Sequence, residues 1–358
     1  MMARKDLAFV TVGDEQTPST RHRILVYRPF LDRENVSCSV YLRRPARTPL
    51  SRFSPLNLAR KAGFLLTALL AAPRHRAVYL QKVVPPCFYT RLLLLFNNNL
   101  IFDFDDALYE ELGHHRTYMK RFTFLLTRAR LVVTGSDEQR NYAARYNPHC
   151  EMLPPVMSRE EFPPVPPGAE KPAGDTVTIG WIGVQGSLKY LQVIREVLRY
   201  LFAEHPHLKF RIICSEMVDF PELGDRVEFC PWSLKSYLRD MQGFDIAVSP
   251  LTSDGYSLAK GGRVSVLNSL GLGIPVVISP GGGLEHHLTD GVNGFLAASR
   301  EQWHDKLNRL INDPQARRRI GLAGFQLANQ KFFSDCTFPK FLGMISRVIH
   351  NGCPRDKS

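Results

Sequence analysis

The stretch DIAVSPLTSDGYSLAKGGRVSVLNSLGLGIPVVISPGGGLEHHLTDGVNGFLA (residues 245–297) reads as strand, loop, helix, strand, glycine-rich loop and helix start. IAVSPL (246–251) is a short apolar run ending at a proline. Gly261-Gly262 opens an amphipathic helix that runs to about Gly271, and Gly273-Ile274-Pro275 turns into the apolar run PVVIS (275–279). Pro280-Gly281-Gly282-Gly283 then leads to a second helix start at Leu284. Short apolar strands alternating with helices predict a parallel sheet. Glycine-rich turns between strand and helix bring backbone N–H groups close to a ligand, a geometry suited to phosphates and sugar oxygens. Two such turns in one unit predict a ligand crevice at the carboxyl edge of the sheet.

Working outward, VTIGWIG (177–183) is a strand, followed by a loop with Gly183 and Gly186 and a helix from Ser187 to Ala203. Strands near 209–214 and 227–231 precede the opening stretch. Helices at 299–312, 314–331 and 333–349 follow it. The first half has the same rhythm: strands at 7–12, 38–43, 77–83, 100–106, 131–136 and 151–156, with helices between them. Ser19 or Thr20 is expected to cap the first helix. Seven prolines between 154 and 174 mark a stiff linker. The chain therefore reads as two α/β domains, 1–160 and 175–333.

At 358 residues the chain is long enough for two domains of ordinary size. Its longest apolar runs, 64–73 and 92–96, are too short to span a bilayer. The start MMARKDLAFVTV lacks the layout of a signal peptide, and the seven cysteines include no CxxC pair, so a cytoplasmic protein is expected. The net charge of +12 is uneven: residues 1–150 hold 23 Lys/Arg against 12 Asp/Glu, and no acidic residue occurs between Glu34 and Asp103. That asymmetry implies an anionic partner for the first half. Within it, residues 56–76 place apolar side chains at helical spacing beside Arg60, Lys61, Arg74 and Arg76. A basic amphipathic helix of this kind suits an anionic membrane surface, and peripheral attachment to the inner face of the plasma membrane is the expectation rather than nucleic-acid binding.

The words LGLGIPVVIS (270–279), GGG (281–283) and DGVNGFLA (290–297) resemble the nucleotide-sugar-binding half of retaining group 1 glycosyltransferases, the family 4 group of the GT-B fold. The resemblance covers roughly residues 100–350. It implies two facing Rossmann-like domains with a cleft between them, the first for the acceptor and the second for the donor. It also implies a final helix, 334–350, that crosses back to the first domain. The implied substrates are a nucleotide-diphosphate sugar and a hydroxyl acceptor, with no metal or other cofactor; the basic amphipathic segment 56–76 adds the expectation of an acceptor of the lipid-linked glycan type.

The resemblance also assigns residues. The loop with Gly183, Gly186 and Lys189 is the donor-diphosphate loop, although Val184 stands where the family usually has arginine. Gly281, Gly282, Gly283 and Glu285 match the loop that wraps sugar and phosphates. The family's paired glutamates are replaced by Lys260 and Asn268. Lys260 and Arg263 are expected to face the donor phosphates, since a positive clamp on a leaving diphosphate stabilises the transition state, and Asn268 to bond a ribose hydroxyl as a neutral group. Asp105 and Asp106, in the string Asp103-Phe104-Asp105-Asp106, are expected to contact the acceptor or organise the cleft, the alternative being a cap on the helix at Ala107-Leu108. Arg21 and Arg23 are expected to hold a phosphate or an acidic sugar. Two rival readings remain: a non-transferase nucleotide-sugar enzyme of the same fold, and a catalytically degenerate subunit that partners another glycosyltransferase.

Overall fold

The computed structural model describes residues 4–43, 54–164, 176–217, 220–259, 261 and 263–350. The chain divides into two compact units. The first comprises Met1–Pro155, Ala259–Gly262 and Thr337–Ser358; the second comprises Val156–Leu258 and Arg263–Cys336.

The first unit is built on a six-stranded, all-parallel sheet. Its strands are β1 (Lys5–Thr11), β2 (Cys38–Leu42), β3 (His75–Gln81), β4 (Leu100–Phe104), β5 (Leu131–Thr134) and β6 (Cys150–Met152), in the order β2-β1-β3-β4-β5-β6. Nearly every residue of β1, β3, β4 and β5 is buried, which is why these strands read as continuous apolar runs. The connecting helices are α1 (Pro18–Arg23), α2 (Arg28–Arg33), α3 (Pro55–Ala71), α4 (Cys87–Phe96), α5 (Leu108–Glu111), α6 (Arg116–Arg128) and α7 (Asp137–Ala144). The first of them differs from the expected single helix: Thr17 is its N-cap, and a 3-10 turn at Leu25–Tyr27 separates α1 from α2. Pro18 and Pro29 each occupy an opening turn, where a missing N–H costs nothing. One core joins β1, β3, β4 and β5 to Ala68 of α3, Ala72 just after it, Leu93 of α4 and Phe122, Leu125 and Leu126 of α6.

The second unit repeats the plan. Strands β7 (Val177–Ile182), β8 (Leu208–Cys214), β9 (Val227–Pro231), β10 (Ile246–Ser249), β11 (Val276–Ile278) and β12 (Phe295–Leu296) form a parallel sheet in the order β12-β11-β10-β7-β8-β9. Its helices are α8 (Arg195–Glu204), α9 (Tyr237–Met241), α10 (Gly255–Leu258), α11 (Val264–Gly271), α12 (Arg300–Asn312) and α13 (Pro314–Lys331). The expected helix from Ser187 is in fact two pieces: a 3-10 run over Gln185–Val193 and then α8, with a break at Ile194. The expected helix start at Leu284 is a single 3-10 turn, Leu284–His287. Capping sets the later boundaries. Ser299 accepts from Gln302 N at the start of α12, and Asp313 accepts from Ala316 N at the start of α13.

The last helix, α14 (Ser334–His350), continues through Pro339, and its residues from Thr337 onward belong to the first unit. Phe341 stacks on Tyr27 at 4.3 Å and lies 6.5 Å from Phe9 and 6.2 Å from Tyr79.

Candidate active site

Three loops converge at the carboxyl edge of the second sheet. The first leaves β7 and carries Gly183, Gly186 and Lys189. The second leaves β10 and runs through Asp254 into α10. The third leaves β11 as Gly281–Gly283. Tyr190, next to Lys189, is buried, and its hydroxyl accepts from Ser257 Oγ at 3.3 Å, tying the first loop to the second. Gly282 N donates to Leu258 O at 2.8 Å, tying the third loop to the second.

The second loop is held from within. Asp254 accepts from Ser257 N at 2.9 Å and from the Thr252 hydroxyl. The Thr252 bond leads the influences that hold the Asp254 carboxyl below the usual range, and Lys189 contributes. Lys189 itself is exposed and lies over the Tyr190 ring at 5.1 Å.

Gly281, Gly282 and Gly283 have φ of 126°, 77° and 77°. Three successive residues in this region form a segment that only glycine adopts without strain. A Cβ on Gly281 would also press on Ser257 O at 3.3 Å. The other two glycines have different grounds. A Cβ on Gly183 would land 2.4 Å from the Trp181 ring, so its smallness serves packing. A Cβ on Gly186 would meet nothing within 4 Å.

Arg263 is placed differently from the expected phosphate-facing cation. It is 5% exposed, and its Nη1 donates to Ser279 O at 2.6 Å and Gly281 O at 3.2 Å. Its Nη2 donates to the Ser249 carbonyl and, at 2.9 Å, to Ser249 Oγ. The guanidinium thus bridges the ends of β10 and β11 and the first residue of the glycine loop. Burial pulls its pKa down to about 10, with Glu285 acting in the opposite sense. A guanidinium keeps its proton even so, which leaves a buried cation held mainly by carbonyl dipoles. The physical reason is distance to backbone: an arginine that opens a helix at a sheet edge reaches the strand-end carbonyls before it reaches solvent. Asn268 is buried in α11, and its Oδ1 has no hydrogen-bond partner among the described residues; the same holds for Glu285 Oε2. Buried acceptors of this kind are normally satisfied; Asn268 lies in α11, whose N-cap Arg263 contacts Gly281, and Glu285 lies in the 3-10 turn that follows the glycine loop. Lys260 and Gly262 lie outside the described residues.

In the first unit, Asp103, Asp105 and Asp106 lie at the carboxyl end of β4 as expected from sequence. Arg23, expected to hold a ligand, is instead 1% exposed; its Nε donates to both oxygens of Asp103 at 2.9 Å, and its Nη1 donates to Leu153 O at 2.7 Å. Asp103 supplies the opposite charge that offsets the burial of this guanidinium. Burial tends to lower the Arg23 pKa, but the pairing outweighs it and raises the value above the ordinary one. Arg21 turns back on the preceding loop and donates to Gln16 O at 3.0 Å.

Lys82 was not singled out by the sequence. It has φ of 54°, its Nζ lies 3.4 Å from Asp105 Oδ1, and it donates to Asp106 Oδ2 and, at 3.3 Å, to Ser19 Oγ. Burial pushes the Asp105 carboxyl up, but Lys82, Arg23 and a bond with Ser19 together hold it below the usual range. The backbone around Asp105 is equally crowded. Gly261 N donates to Asp105 O at 3.1 Å, and a Cβ on Gly135 would meet Asp105 Cβ at 2.9 Å. No group of three His, Cys, Asp or Glu side chains suited to a metal ion occurs among the described residues.

Residues 176–313 match the family model described as glycosyl transferases, group 1. No curated relative matches the sequence. The fold is similar to that of HepE from Anabaena, solved with UDP and glucose (TM-score 0.71, 15% identity, covering 96% of this chain and 100% of that one). It is also similar to sucrose-phosphate synthase from Thermosynechococcus elongatus (TM-score 0.72, 15% identity, 96% and 99%). A third similar structure is WaaG, a glycosyltransferase involved in lipopolysaccharide biosynthesis (TM-score 0.68, 14% identity, 97% and 100%). The architecture, two parallel-sheet α/β units, is the GT-B fold.

Proposed function

We propose that the protein is a glycosyltransferase that moves a sugar from a nucleotide-diphosphate donor to a hydroxyl acceptor, with retention at the anomeric carbon, in the assembly of a cell-surface glycan. The observation that carries this reading is the convergence of the Lys189 loop, the Asp254 loop and the glycine segment 281–283 at one sheet edge, inside the segment that matches group 1 glycosyl transferases. HepE, of similar fold, was solved with UDP-glucose, which supports a nucleotide-sugar donor. In the proposed reaction the bond from the anomeric carbon to the diphosphate oxygen breaks, and a bond to the acceptor oxygen forms on the same face. The acceptor proton passes to the departing phosphate, so no side chain need act as nucleophile. Lys189 and the backbone of the glycine segment would balance charge on the leaving group. Lys260, Asp105 and Asp106 keep their proposed roles toward phosphate and acceptor, with no metal required.

The test is a panel of nucleotide sugars, read by slow release of the nucleotide diphosphate and by NMR of the anomeric product. Release from one donor, with retained configuration, supports the proposal; a product of inverted configuration overturns the retaining assignment. One observation favours the rival reading of a degenerate subunit: Lys260 and Asn268 replace the acidic pair. Titration calorimetry separates the two, because a scaffold binds no nucleotide diphosphate.

A further inference from the structure

We propose that the joint outer face of α3, α4 and α6 is a docking surface for an anionic lipid bilayer, with α4 as the element that enters deepest. The three helices are neighbours in the first unit, and each buries one side in the core beneath them. Their other side remains apolar. Leu66 and Leu70 of α3 are more than half exposed, and on α4 Phe88 is 72% and Leu95 81% exposed, with Leu92 and Phe96 beside them. Phe88, Leu92, Leu95 and Phe96 follow at intervals of four, three and one, which is one stripe of a helix, adjoining the buried Tyr89 and Leu93. α4 therefore has a broad apolar arc, and only part of it is spent on the fold. A contiguous apolar patch of this kind marks an interaction surface.

The charge around the stripe selects the occupant. α3, α4 and α6 contain no aspartate or glutamate. Arg60 of α3, Arg91 of α4, and Arg116, Lys120 and Arg128 of α6 are all exposed. The nearest acidic residues in sequence, Glu110 and Glu111, precede α6 on α5. Protein interfaces are depleted of lysine and usually pair opposite charges. A rim of one sign around exposed leucine and phenylalanine fits a surface of lipid phosphates, where each basic side chain adds to the attraction and the apolar stripe reaches the acyl boundary. This differs from one amphipathic helix lying alone in the interface: α3 is anchored in the core through Ala68 and Ala71, and the surface is shared by three helices.

Co-sedimentation of the full chain with vesicles tests this, using phosphatidylglycerol–phosphatidylcholine vesicles against phosphatidylcholine alone. Wild type is expected to bind the anionic vesicles, weakening as salt rises from about 0.05 to 0.5 M, and to leave the zwitterionic ones free. Phe88→Ser with Leu95→Ser should lower the bound fraction at least tenfold at an unchanged melting temperature, because both side chains are outside the core. Lys120→Glu with Arg116→Glu should lower it comparably and flatten the salt dependence. Three outcomes overturn the proposal: no binding to either vesicle at low salt, wild-type binding by the Phe88/Leu95 variant, or a dimer in solution that this variant dissolves. The assay contains no sugar donor, so its result stands apart from the glycosyltransferase reading.

Discussion

Lys82 and Arg263 are two cations whose roles are set by partners distant in the sequence. Lys82 carries an ordinary side chain at the end of an ordinary strand, and nothing in its neighbours Gln81 and Val83 sets it apart in the sequence. Its importance comes from long-range pairing with Asp105 and Asp106, which periodicity cannot show. Lys82→Met is expected to cost about 3–5 kcal/mol in denaturant unfolding, since it leaves buried carboxylate unpaired, and Asp105→Asn in the same chain should restore part of it. The pH dependence has a definite sign. The Asp105 carboxyl is held below its ordinary value, so its contribution is present above the unfolded carboxylate range near pH 4 and is lost as pH falls through the lower, folded value. Acid unfolding of Asp105→Asn should therefore show a shallower loss of stability between about pH 5 and pH 2.

Arg263 was legible as a cation near the donor loops but not as a strut, because its partners are carbonyls of residues 249, 279 and 281. Arg263→Lys keeps the charge and loses the fork that reaches two strand ends. It is expected to raise the donor KM by about tenfold, the scale of a lost charge-assisted contact, while leaving the pH profile of turnover in place. A changed pH profile would instead mean that the guanidinium touches the reacting phosphate. Arg23 teaches the same lesson in the first unit: a basic residue after the first strand has the right composition for an anion site, and only burial reveals that Asp103 already occupies it.

At the scale of elements, the strands and most helices were readable because buried parallel strands are apolar throughout and the helices carry clear stripes. The failures cluster where the chain turns tightly. The run 185–193 has the apolar spacing of a helix yet forms a 3-10 stretch, and the segment after Gly283 makes one 3-10 turn. Both lie at the proposed donor site, where tertiary packing of Tyr190 and Leu284 outweighs local propensity. Glycine substitutions separate local need from ligand need. Gly281→Ala should destabilise by about 1–3 kcal/mol and abolish most activity, because its φ of 126° is lost to strain. Gly186→Ala should change stability by less than about 1 kcal/mol, as a Cβ there meets open space. A raised donor KM in Gly186→Ala, at unchanged thermal unfolding, would locate the diphosphate against that turn. An unchanged KM would remove Gly186 from the donor site.

For the whole molecule, the two-sheet plan was legible from the repeated alternation of strand and helix. No helix among the described residues is long and apolar enough to cross a membrane. The packing of the last helix was not readable from local pattern. Phe341 is fully buried against Tyr27 and Tyr79, residues more than 260 positions earlier in the chain, and Tyr27 also bonds Thr337 across 2.8 Å. Phe341→Ala is expected to cost about 3–5 kcal/mol, and denaturant unfolding followed by a first-unit probe should report it. A loss below about 1 kcal/mol would mean that the aromatic stack contributes little to that unit.

The same helix sets an order of events during synthesis. Ribosomes release a chain from its amino end at about 5–20 residues per second, and domains generally fold as they emerge. Of the two units, the one translated earlier holds an aromatic cluster that lacks one of its rings until Phe341 is made. The second unit, translated later, has all of its own strands in hand before that moment. The first unit is thus begun before the second and completed after it, and until Phe341 is made its unpacked aromatics are the surface a chaperone would meet.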